Sequence, residues 1–146
     1  WYFQAIDSQL GINRVQEFLN KIEYGNQTTS SNLDLYWSDF SLKISPLEQV
    51  TLLKKFNTNE FHLNFQNVFS VKNAIKIAST PNGNFYGKTG TGRVNGQDIN
   101  GWFIGYVETS DNSYYFATNI QSDSNATGKK AFEITSDILK KLHIWN

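Results

Sequence analysis

FYGKTGTGRVNGQDINGWFIGYVETSDNSYYFATNI, residues 85–120, is the stretch that decides the fold of this 146-residue chain. Phe85 to Val94 is extended and rich in glycine. Asn95-Gly96 then supplies the pair that a tight hairpin turn needs, because both central residues must take positive φ. Trp102–Thr109 and Tyr114–Ile120 are β-branched and aromatic, and Ser110-Asp111-Asn112-Ser113 turns the chain between them. Three successive antiparallel strands are the simplest arrangement. A helix over about Gly128–Leu142 follows, with Phe132, Ile138 and Leu142 expected against that sheet.

Upstream the period changes to that of a helix. Phe3, Ile6 and Leu10, then Val15, Phe18, Leu19 and Ile22, recur at three- and four-residue spacings, interrupted where Gly11 can act as a cap. Residues 1–23 therefore read as two helices, which Tyr24-Gly25-Asn26 ends. The polar stretch Gln27 to Asn32 is a loop. Ser45-Pro46-Leu47-Glu48 starts another helix: Ser45 caps, Pro46 suits the first turn and Glu48 completes a capping box. It is expected to run to about Phe56, and a further helix from Gln66 to Ala78. The order gives an α+β fold, one domain, with no internal repeat. Three strands under one helix leave a sheet edge open. That edge, and a first residue that reads as the interior of an element, suggest that an N-terminal part of the domain is missing.

Lys+Arg and Asp+Glu are both 13 and the formal net charge is zero, so nothing favours a nucleic-acid partner. No apolar run approaches the roughly 20 residues that span a bilayer, and no direct membrane contact is expected of this segment. The first residues have no basic n-region and are not a signal peptide. Cysteine is absent, which rules out a thiol nucleophile or thiolate metal site. His62 and His143 are the only histidines and lie far apart. They read as surface or core-edge imidazoles, and neither a metal nor another cofactor is expected.

Lys88-Thr89-Gly90, on the first of the strands, is the sharpest chemical feature. Gly87-Lys88-Thr89 also looks like the end of a phosphate-binding P-loop, but the glycine that loop requires falls on Asn82, and no helix pattern follows Thr89. The surrounding segments point elsewhere. Tyr24-Gly25-Asn26, the pair Tyr36-Trp37, Ser41 to Val50, Gly87-Lys88-Thr89-Gly90-Thr91-Gly92, Asn100 to Glu108 and Tyr115 to Ile120 follow one another in the order and spacing of a known family. Together they cover nearly the whole chain, which resembles the C-terminal half of the penicillin-recognising serine proteins. Within that group it is most similar to the class D β-lactamases and the BlaR/MecR β-lactam sensors.

The resemblance implies a serine β-lactamase-like fold, and acylation by a β-lactam of a serine in an S-x-x-K motif. It gives Lys88 and Thr91 catalytic roles, the first as a fixed positive charge, the second through a backbone N–H aimed into the oxyanion hole. Thr89 would donate its hydroxyl to the ligand carboxylate, and Gly90 would let the ligand lie against the strand. Tyr24, Asn26 and Trp37 would complete the ligand surroundings, although Trp37 reads equally well as a plain core residue. Thr51-Leu52-Leu53-Lys54 has the S-x-x-K spacing but comes after Tyr24-Gly25-Asn26, in the wrong order. Ser30-Ser31-Asn32 matches a second family motif only by letters. The nucleophile and its base are therefore expected upstream, and this segment alone should hydrolyse nothing.

Many class D enzymes carry an arginine near the start of the last helix to hold the substrate carboxylate. Here that region is Thr127-Gly128-Lys129-Lys130-Ala131, leaving Thr89 and Thr91, with Lys129 or Lys130, as the substitutes. The missing arginine, polar Ser38 after the aromatic pair, and Val94-Asn95-Gly96 after the K-T-G run lean towards the sensors. A class D hydrolase and a non-catalytic module that kept only the scaffold stay open. The expected setting is extracellular, in a Gram-positive source.

Overall fold

The computed structural model describes residues 2–29, 36 and 41–145. They fall into two compact units, Trp1–Leu52 and Leu53–Asn146. In the first, α1 (Tyr2–Leu10) and α2 (Ile12–Lys21) form the expected helix pair. Gly11, at φ 79°, joins them. Its N–H donates to the Asp7 carbonyl at 2.9 Å and its own carbonyl accepts from the Val15 N–H at 3.2 Å, so one residue closes α1 and opens α2. Val15 and Leu19 are the buried residues of α2.

The start of α3 (Pro46–Asn57) is the capping box read from the sequence. Ser45 Oγ accepts from the Glu48 N–H at 3.2 Å, and Glu48 Oε2 accepts from the Ser45 N–H at 2.8 Å.

The second unit contains α4 (Phe65–Ala74), β1 (Lys76–Thr80), β2 (Gly83–Val94), β3 (Gln97–Thr109), β4 (Ser113–Gln121) and α5 (Gly128–Lys141). The strands form one antiparallel sheet in the order β1-β2-β3-β4. Asn95 and Gly96, at φ 48° and 78°, make the β2–β3 turn as expected.

Two expectations need correction. The helix expected over 66–78 stops at Ala74, and Lys76–Thr80 is a fourth strand paired with the first residues of β2. Ile75 and Ile77 are β-branched and sit two apart, a strand spacing rather than a helical one; the Ile75 carbonyl accepts from the Gly87 N–H, and Ile77 is the bulged residue between the Lys76↔Tyr86 and Ala78↔Phe85 pairs. In α5, Ile138 and Leu142 are not on the sheet; they are 47% and 61% exposed. The buried face is Gly128, Ala131, Thr135 and Leu139, with Phe132 packed beside it. Three of these four residues are small, which lets the helix settle close over large rings on the sheet.

Those rings form the core. Phe85, Phe103 and Val107 pack with Ala131 and Leu139, flanked by Phe116, Phe132 and Trp145. Phe103 meets Phe116 and Phe132 at centroid distances of 5.1 and 5.0 Å. The strand alternation that turns Phe85 and Phe103 towards α5 puts Tyr86, Lys88 and Tyr106 on the opposite face.

Candidate ligand-binding strand

Lys88, Thr89, Gly90 and Thr91 lie together on β2, all exposed. The edge they present results from a mismatch in length. β1 pairs with β2 only from Gly83 to Tyr86, and the Gly87 N–H reaches the Ile75 carbonyl at 2.8 Å. Beyond Gly87, no strand among the described residues covers that edge, while the inner edge pairs with β3 in unbroken register from Gly83↔Thr109 to Gly92↔Asn100. Alternate residues of an antiparallel strand direct their N–H groups to opposite sides. Since Gly87 points outwards, so do Thr89 and Thr91. Two backbone donors therefore stand free on an exposed edge.

Lys88 folds back along its own strand, its Nζ donating to the Thr89 carbonyl at 2.6 Å. Thr91 Oγ1 accepts from the Gly128 N–H at 2.9 Å, tying the strand to the start of α5. Thr127 caps that helix by accepting from the Lys130 N–H at 3.2 Å. Lys129 pairs with Glu133 at 3.9 Å on an open surface, a contact of little energetic weight. Two open hollows, of about 590 and 580 Å³, lie elsewhere in this unit, one at Lys54, Asp111 and Tyr115, the other at Val94, Gln97 and Ser122; neither is lined by the K-T-G residues.

Tyr24 and Asn26 belong to the first unit, and each does structural work there. The Tyr24 hydroxyl donates to Gln49 Oε1 at 3.3 Å, and burial raises its pKa. Gly25 has φ 48°, and a Cβ on it would land on the Lys43 carbonyl oxygen, so no other residue fits there without moving backbone. Asn26 Oδ1 accepts from the Lys43 and Thr28 N–H groups at 2.9 and 3.3 Å, and its Nδ2 donates to the Ser41 carbonyl at 2.8 Å. The Asn26 carbonyl oxygen is thus fully engaged, and one amide N–H is what remains for a ligand. Tyr36 accepts at its own carbonyl from Ser41 Oγ at 3.0 Å; burial and the neighbouring Asp7 carboxylate push its hydroxyl up to about 12. Trp37, Ser38 and Ser30-Ser31-Asn32 lie outside the described residues.

Reading the letters alone missed the contact between Gly128 and the K-T-G strand. The Thr127-Gly128 pair carried the local signal of a helix start, but which strand it would meet is a through-space fact. Among the described residues no cluster of His, Cys, Asp or Glu could hold a metal ion, and no helix is long and apolar enough to cross a membrane.

An antiparallel meander under a terminal helix, with a K-T-G strand half free of neighbours, has a counterpart among known proteins. The family model for the penicillin binding protein transpeptidase domain matches residues 1–140, and the chain belongs to that family. The regulatory protein BlaR1 of Bacillus licheniformis is 47% identical over 145 residues, which are 99% of this chain and 24% of that protein. Among solved structures, the C-terminal domain of the Bacillus licheniformis BlaR penicillin-receptor matches with a TM-score of 0.94 at 46% identity, over all of this chain and 59% of that one. A class D β-lactamase from Bacillus subtilis matches with a TM-score of 0.91 at 37% identity, again over all of this chain and 59% of the enzyme. The chain thus spans 24% of the regulatory protein and 59% of each solved chain. The resemblance read from the sequence is the correct one.

Proposed function

We propose that the 146 residues are the C-terminal part of a single penicillin-binding domain, the extracellular β-lactam sensor of a BlaR/MecR-type signal transducer, acylated on a serine upstream. The observation that carries the ligand-binding half of this reading is the exposed Lys88–Thr91 edge of β2, where an ammonium, two hydroxyls and two outward N–H groups share a few residues of strand. Lys88 supplies positive charge beside the nucleophile, the Thr91 N–H faces the oxyanion of the tetrahedral intermediate, and Thr89 and Gly90 contact the ligand. The resemblance also assigns Tyr24, Asn26 and Trp37 to the ligand.

The sensor half is favoured by likeness to a protein named as a regulator, over essentially the full chain. The second reading, a class D β-lactamase, is favoured by the match to the Bacillus subtilis enzyme. The two differ in deacylation. A hydrolase positions a base to activate water against the acyl-enzyme, and a sensor does not, so the acyl state persists as the signal.

Mixing the intact protein with a chromogenic cephalosporin separates them. The expected outcome is one stoichiometric burst; many turnovers per molecule would establish the hydrolase. In the same assay Lys88→Ala should slow acylation by about a hundredfold or more, the scale of losing a charge aimed at the reacting centre. Its thermal stability should stay that of the parent, because Lys88 is exposed. Undiminished acylation in this variant would remove the K-T-G assignment.

A further inference from the structure

We propose that Gly128 is a positioning residue that presets the Thr91 hydroxyl as a donor to the carboxylate of the ligand, an assignment that rests on reading β2 as the β-lactam wall. Gly128 opens α5 and is buried. Its N–H donates to Thr91 Oγ1 at 2.9 Å. A threonine hydroxyl has one proton and two lone pairs. Accepting from a fixed backbone donor anchors the oxygen and leaves the proton to be given elsewhere. Among the described residues nothing accepts it, so Thr91 presents a preset O–H donor on the exposed strand.

The closeness of helix and strand is what makes residue 128 special. A Cβ at this position would stand 2.6 Å from the Gly90 carbonyl oxygen, 2.9 Å from Thr89 Cβ and 3.0 Å from the Gly90 nitrogen. Two of these neighbours are backbone and cannot swing aside. Even alanine would lift the start of α5 from the strand and break the Gly128–Thr91 bond. Gly101, across the sheet from Thr91, has the same need: a Cβ there would meet the Thr127 carbonyl. The helix start is therefore clamped by two Cβ-free positions, and the positive end of α5 comes with it. No arginine stands in Thr127–Ala131; backbone geometry takes over the task of fixing an anion donor.

The test uses the intact protein with a fluorescent penicillin and the methyl ester of the same compound, which lacks the carboxylate. Following labelling at several ligand concentrations separates the Kd of the first complex from the acylation rate constant. Gly128→Ala should raise Kd for the acid about ten- to a hundredfold, the scale of one hydrogen bond to a charged group. The acylation rate constant and the Kd of the ester should barely move. Thr91→Val, which removes the hydroxyl and with it the acceptor of the Gly128 N–H, should raise the Kd of the acid and not that of the ester, and Thr91→Ser, which keeps both donor and acceptor, should hold the parent's Kd; these carry the test should Gly128→Ala fail to fold. Equal losses on acid and ester, or none on either, would overturn the role of Gly128 while leaving the β-lactam reading standing. A parent protein labelled by neither compound would sink that reading and this one together.

Discussion

At the level of single residues, the letters of the Y-G-N run proved as informative about structure as about ligands. Gly25 is required by a positive φ and by the Lys43 carbonyl pressed against it, and Asn26 fastens Ser41 and Lys43 to it. Tyr106 makes the opposite point. It is fully buried between Tyr86 and Tyr115, at centroid distances of 4.7 and 5.7 Å, and its hydroxyl has no partner among the described residues. An unpaired buried hydroxyl costs about 1–3 kcal/mol. Tyr106→Phe should therefore hold the stability of the domain or raise it by about 1 kcal/mol in urea denaturation; a fall of that size would reveal a hidden partner. Burial, helped by the Glu108 charge, raises the pKa of Tyr106 above the ordinary 10.0. An acid held protonated in this way contributes fully below the unfolded value. That contribution is lost as pH rises past it, because the unfolded chain ionises first. Alkaline destabilisation should be milder in the phenylalanine variant.

Whole elements were legible where signals were local. The capping box at Ser45 needed only four letters, and the hairpin at Asn95-Gly96 only two. The Glu48 carboxylate, holding the Ser45 N–H and hydroxyl, has its pKa lowered below the ordinary 4.5. Its help to α3 is present above that value and disappears as pH falls through the lower folded-state pKa. Glu48→Gln should thus be less stable than the parent near neutrality, the gap closing as denaturation curves are taken below about pH 4. A gap constant with pH would mean that the charge is not what matters. β1 was missed because its partner, the start of β2, lies across a turn, and pairing outweighed the apolar letters that seemed to extend α4. The face of α5 was misjudged for a related reason. Counting apolar residues favours Ile138 and Leu142, whereas fit against Phe103 and Phe116 selects the small residues.

Over the molecule as a whole, order and spacing of segments carried more than composition did. A neutral, cysteine-free chain excludes little, while six segments in family sequence identified the fold at once. What stayed illegible is what depends on distance between remote parts, above all the seating of Gly128 on Gly90. The half-covered β2 also makes its own spectroscopic reporter. Amide protons on its inner side are locked to β3, whereas those of Thr89 and Thr91 have no strand partner among the described residues, so in deuterated water they should exchange early and their neighbours late. A drug lodged along the strand would shield these two and leave the rest unchanged, and its residence time could be read directly from how long they keep their hydrogen.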